Sequence, residues 1–304
     1  MTTLAATGPW QYQFHPEVWV LLAVGIALSV YSVRVLGPMV VPAGQPVVTA
    51  AQRRFFVSGL ILFWIASDWP LHDVAENYLY SAHMVQHLLV TFVIPPLLLL
   101  ALPEWLARLV ILDDGFVSRI LRVITKPVVA GVAFNALQLF GYWTWTVNTS
   151  SSNGTFHYTM HVSYFLLGLL MWFPVVGPMK ELQMSEMGKM VYLFLMSIIP
   201  TVPAGWLAFA GDAVYRSYDI PYRMWGMSVE QDQQIAGAVM KVGGGIYLWV
   251  LIAIRFFKHS SRQMTSDLRS RRVNTPGHSI TYEDLEREFE KAGPPPVEIP
   301  PNNP

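Results

Sequence analysis

Eight histidines stand in the chain: His15, His72, His83, His87, His157, His161, His259 and His278. Four of them form two pairs spaced i, i+4, His83 with His87 and His157 with His161. On a helix such a pair lies on one face, about 6 Å apart along the axis. This is the spacing by which one helix offers two imidazoles to a single metal ion. Eight histidines scattered at random over 304 positions would give well under one such pair. The competing reading, an interfacial histidine bonded to water or headgroups, suits any one of these residues better than it suits both pairs together. Imidazole accepts copper, zinc, iron and nickel alike, and an added thioether favours Cu(I). Met84 follows His83, and Met160 precedes His161. Neighbours in sequence point about 100° apart around a helix, so packing competes with ligation for both methionines. The candidate metal ligands are His83, His87, His157 and His161, with His72, Met84 and Met160 as supplementary candidates. The chain has no cysteine, which excludes disulfides and thiolate chemistry.

The elements that must hold these residues are membrane spans. Hydrophobic residues make up 53% of the chain and charged residues 13%, about half the charged share of a soluble domain; mean hydropathy is +0.38. Twenty basic residues against twenty acidic ones leave no net charge, which argues against nucleic acid as a partner, since that needs a basic surface. Seven stretches approach the roughly 20 apolar residues that cross a bilayer as a helix. They lie near Val18–Leu36, Phe55–Trp69, Ser81–Leu102, Pro127–Val147, His157–Gly177, Met187–Ala210 and Gln233–Phe257. The chain therefore reads as an all-α membrane protein, a bundle of seven transmembrane helices.

Basic residues set the orientation of such a bundle. With the N-terminus outside, the inner connections hold Arg53, Arg54, Arg108, Arg119, Arg122, Lys126, Lys180 and Lys189, and the outer ones only Arg216 and Arg223. An outer N-terminus and a cytoplasmic C-terminus are expected. The first basic residue is Arg34, so the positive start of a signal peptide is missing, and the first span is expected to stay as an anchor. Residues 1–257 are then the membrane domain and 258–304 a cytoplasmic tail, charged at first and Pro-rich and partly disordered at its end. Within the tail, Thr281 is expected to cap a short acidic helix, with Asp284 reaching back. In this topology spans three and five both begin at the outer face. Both histidine pairs then share one thin layer with His72, which lies in the connection before span three.

Other polar residues are less telling. Gln86, Asn135 and Gln138 are expected to bond neighbouring helices or to orient an imidazole. Lys241, in the last span, is expected to snorkel or to pair with Asp232 or Asp68; a retinal site is excluded because Gly237 stands where a counter-ion would be needed. Asn148–Phe156 reads as an uncharged, Ser-rich loop. Pro95–Pro96, Pro174, Pro200 and Pro203 should bend their helices. The outer layer shows no nucleophile motif, so enzymatic activity is not expected.

The run Ser81-Ala-His83-Met84-Val-Gln86-His87-Leu-Leu resembles the signature of the CtaG-type cytochrome c oxidase assembly factors. So do His157 and His161 leading into Met171-Trp172-Phe173-Pro174-Val-Val-Gly177-Pro178, and Asp232-Gln233-Gln234 opening a Gly-rich last span. The resemblance spans roughly Phe55 to Leu251. It departs at Lys241 and Gly243–Gly245, where the family pattern is more apolar, and it omits the tail. It implies a multi-pass protein of the bacterial plasma membrane that assists assembly of haem–copper oxidase by handling copper for the haem–copper centre. Implied partners are oxidase subunits, membrane lipid and a copper donor protein. Two other readings stand beside it: a haem-binding electron carrier with one axial histidine from span three and one from span five, and a transporter using the kinked helices.

Overall fold

The computed structural model describes residues 10–111, 115–274 and 281–292. It is 81% helix, with no strand among the described residues. Helix α1 (Pro16–Val40) opens on a proline, which suits the first turn because its missing N–H has no partner there. Helix α2 (Ala50–Ser67) starts at a capping box, with Gln52 N donating to Thr49 Oγ1 at 3.2 Å and Thr49 N to Gln52 Oε1 at 2.8 Å. The short helix α3 (Leu71–Asn77) leads into α4 (Tyr80–Ala101). Next come α5 (Glu104–Ile111), α6 (Phe116–Ile124), α7 (Pro127–Gly141), α8 (Thr144–Ser152) and α9 (Gly154–Val176). The chain continues with α10 (Glu186–Ile198), α11 (Thr201–Ala208), α12 (Val229–Ser266) and α13 (Tyr282–Ala292).

Six of these elements are long and apolar enough to cross a membrane: α1, α2 with α3, α4, α9, α10 with α11, and α12. The bent pair α6–α7 makes a seventh if it counts as one span. This is the multi-pass helical protein that the hydropathy implies, with two differences from the expected spans. The expected span Pro127–Val147 is the 15-residue α7, about 22 Å long by helical rise, set off from α6 by a 75° bend. The expected loop Asn148–Phe156 is largely helical: α8 runs to Ser152, and Asn153 caps α9 by accepting from Phe156 N at 3.0 Å.

Helix α4 is central and packs on α2, α9 and α12. Pro95 and Pro96 cannot donate backbone hydrogen bonds, and a wide π turn at Leu89–Val93 precedes them. Thr91 within that turn donates its hydroxyl to the His87 carbonyl at 2.7 Å. Gly243 and Gly244 sit where α12 meets α4: a Cβ on either would stand 3.3 or 3.1 Å from Leu88. Away from the histidines, the fully buried Phe134, Met171, Trp172, Met179 and Leu193 form the main apolar core.

The chain divides into units 1–255 and 256–304. In the second, Thr281 donates to Asp284 Oδ2 from its backbone N at 3.1 Å and its hydroxyl at 2.7 Å, so the expected cap of α13 forms. His278 and the Pro-rich end lie outside the described residues.

Candidate metal centre

Three short-range anchors build the site before any histidine is considered. Asp68 closes α2 by accepting from Trp64 Nε1 at 2.8 Å and Trp69 N at 2.9 Å, and its carbonyl accepts from His72 N at 3.2 Å. Tyr218 Oη donates to the Ala75 carbonyl at 3.1 Å and so ties α3 to the long connection before α12. Asp232, buried on α12, accepts from Tyr80 N at 2.7 Å, Ser81 N at 3.0 Å and Ser81 Oγ at 2.5 Å. Its negative charge thus faces the N-terminus of α4, where the helix dipole favours it. Next to it, Gln233 accepts from Val214 N at 2.8 Å and donates to the Tyr215 carbonyl at 3.1 Å. Tyr215 Oη in turn donates to the Tyr142 carbonyl at 2.7 Å. Burial raises Tyr142 and Tyr218 well above the ordinary phenol range and Tyr215 to about 12, so all three stand as neutral hydroxyls.

The histidines converge on Glu76. Its Oε1 lies 3.2 Å from His83 Nδ1 and 3.2 Å from His161 Nε2, and its Oε2 lies 3.4 Å from His157 Nδ1. Ligand atoms of Glu76, His83 and His161 all fall within 4.8 Å of one another. Donors at 2.0–2.1 Å from a tetrahedral ion stand about 3.3 Å apart, close to the 3.2 Å from Glu76 Oε1 to each of the two imidazole nitrogens. Glu76 Oε1 and His83 Nδ1 are both shut off from solvent without a hydrogen-bond partner among the described residues. At 3.2 Å they stand in ion-pair contact, and two atoms so placed can also share an ion. The donor set of one carboxylate and imidazoles therefore fits a borderline cation such as copper or zinc.

His72 sits beside this cluster, its ring 6.2 Å from that of His157 and 6.3 Å from that of His161. Gln86 fixes it, with Nε2 2.9 Å from His72 Nδ1. His15 reaches over from the segment before α1: its Nε2 is 3.1 Å from Asp73 Oδ2 and its ring 4.9 Å from that of His72. Burial lowers the His15 pKa, but Asp73 and Glu17 outweigh burial and hold it above the ordinary histidine value.

His87 stands apart. It lies one turn farther along α4 with its ring 4.4 Å from that of Tyr164 and 5.9 Å from that of Tyr142. Its Nε2 is buried and has no partner among the described residues. A cavity of about 40 Å³ lies between it and the cluster, lined by His83, His87 and His161 and also by Met84 and Met160. That volume holds an ion with a water or two. A haem needs a pocket of some hundreds of Å³, so two axial histidines are not what this arrangement provides.

The expected constellation is thus brought together in part. His83, His157 and His161 meet at Glu76, and His72 lies alongside on a helix instead of a loop. His87 shares the cavity but not the carboxylate, because Tyr142 and Tyr164 surround its ring. Glu76 and His15 were absent from the expected ligands, although Glu76 follows His72 at the same i, i+4 spacing. Lys241 pairs with neither expected carboxylate, since Asp232 and Asp68 are engaged as described; its Nζ donates to Thr201 Oγ1 at 2.5 Å. Gln138 finds no partner for either amide atom among the described residues, while Asn135 donates to the Gly131 carbonyl at 2.8 Å.

No curated protein and no solved structure matches the chain. A family model does, that of the cytochrome c oxidase caa3 assembly factor (Caa3_CtaG), over residues 28–262. The matched region contains α3, the starts of α4 and α9, and Asp232, which are the parts that build the Glu76 cluster. The chain belongs to the Caa3_CtaG family of cytochrome c oxidase assembly factors.

Proposed function

We propose that the protein serves oxidase assembly by carrying copper as cargo for the haem–copper centre, on Glu76, His83 and His161 with His157 and His72 at the rim. The observation that carries this reading is Glu76 Oε1 at 3.2 Å from two imidazole nitrogens, the edge length of a coordination shell. Imidazole and carboxylate alone accept zinc as readily; the family role favours copper. Three firm donors leave a position open for exchange with a receiving protein, and mobile cargo requires that. The protein acts by transfer and not by turnover, so it is no enzyme. Its partners are an oxidase subunit, a copper donor and the lipid around its apolar faces.

The charge bias of the connections supports an outer N-terminus and a cytoplasmic C-terminus in the bacterial plasma membrane. The histidine layer then faces the side from which copper arrives. A reporter fused after Pro304 is expected to be cytoplasmic, and an exported one overturns the orientation.

The function itself is tested by metal analysis of purified protein beside a variant combining Glu76→Gln, His83→Ala, His157→Ala and His161→Ala, with oxidase activity measured at limiting copper. Copper in the wild type and loss of both copper and active oxidase in the variant are expected. A variant that still assembles active oxidase at limiting copper sinks the proposal.

A further inference from the structure

We propose that the cavity beneath the Glu76 cluster is a second, softer metal position that takes Cu(I), with His87 Nε2 and the thioethers of Met84 and Met160 as its ligands. This rests on the copper reading of the upper cluster and goes beyond it by dividing one site into two.

Three observations carry the division. His87 is only 6% exposed and lines the cavity, and its Nε2 is buried without a partner among the described residues. A buried polar nitrogen is ordinarily bonded, and here the residue that carries it lines a cavity that Met84 and Met160 also line. Met84 and Met160 are 1% and 7% exposed and both line that space. Their sequence positions agree: Met84 and His87 are spaced i, i+3 on α4, and Met160 and Tyr164 are spaced i, i+4 on α9, so each couple shares a helix face. Tyr164 is the residue whose ring stands 4.4 Å from that of His87. Met84 thus shares a helix face with His87, and Met160 with the tyrosine that packs on His87.

The two positions differ in charge as well as softness. The upper one has a carboxylate, which offsets a divalent ion. The ligands assigned to the lower one are neutral nitrogen and sulfur donors, with Glu76 at the edge of the same cavity, and neutral donors favour the ion of lower charge, because less charge is taken out of water. Thioether with imidazole is the set that selects Cu(I) over Zn(II). His83 and His161 line the cavity and also touch Glu76, so an ion can change position by exchanging ligands with no change of oxidation state.

The test is anaerobic titration of the detergent-purified full chain with Cu(I) against a chromophoric chelator, joined to copper X-ray absorption. Wild type is expected to bind two Cu(I) with sulfur in the coordination sphere. Met84→Leu with Met160→Leu keeps volume and fold and is expected to lose the sulfur signal and one equivalent, while its single Zn(II) equivalent is unchanged. Glu76→Gln is expected to keep the sulfur-bound copper. One Cu(I) bound by nitrogen and oxygen alone, indifferent to the methionine changes, overturns the second position and leaves the cluster standing. A wild type that binds no copper overturns both.

Discussion

Asp232 touches no proposed ligand, yet the structure makes it a support of the whole centre. In Asp232→Asn the shape is kept and one oxygen becomes an NH2 group. If the remaining oxygen faces Ser81, the Tyr80 N–H meets a second donor and is left unsatisfied in a buried place. That costs about 1–3 kcal/mol. The two bonds kept to Ser81 lose their charge assistance and about half their strength, roughly 1 kcal/mol each. Relief of the buried charge offsets part of the sum, which leaves about 3 kcal/mol. For a chain of this size that lowers the melting temperature by about 6 °C. His83 stands in the first turn of α4, three residues after Tyr80, so loosening that turn also weakens copper binding. The assay is thermal unfolding in detergent, followed by tryptophan fluorescence, with copper affinity measured in parallel. Asp219→Asn is the control: Asp219 is 51% exposed and pairs with Arg223, and surface pairs contribute little. An Asp232→Asn protein that melts and binds copper like the wild type refutes the reasoning.

Glu76→Gln removes the charge proposed to face the ion while preserving size; by the measure of broken buried pairs, about 3–5 kcal/mol, copper at the upper position should bind roughly two to four orders of magnitude more weakly, and an unchanged affinity there excludes Glu76 as a ligand. Gly237→Ala places a Cβ 2.6 Å from the Ala204 carbonyl and 2.9 Å from Ala208 N, so α11 and α12 must separate at a cost of about 1–3 kcal/mol; Gly154→Ala, with nothing within 4 Å, is the neutral comparison in the same melting experiment. Lys241→Met loses a hydrogen bond to Thr201 worth about 1 kcal/mol and should leave metal content unchanged, whereas metal loss would place Lys241 in the site.

The helices were legible because apolar runs of span length admit few other structures, and the reach of Asp284 back to Thr281 follows from residue type alone. The end of α7 was not. Its last residue is Gly141, where Tyr164 of α9 approaches so closely that a Cβ would lie 1.3 Å from the hydroxyl; that contact is a tertiary demand that no local pattern carries. The same tyrosine decides the fate of the histidine pairs. Spacing of i, i+4 puts two residues on one face, but it leaves them about 6 Å apart along the axis, roughly three times a metal–nitrogen bond. Whether both reach one ion depends on what lies between them. His157 and His161 lean together, with ring centroids 4.4 Å apart, and both meet Glu76. His83 meets Glu76 as well, but His87 is held by the rings of Tyr142 and Tyr164. Periodicity therefore identified the face of each helix that carries the histidines, and the aromatic residues packed between the helices determine which of them meet Glu76.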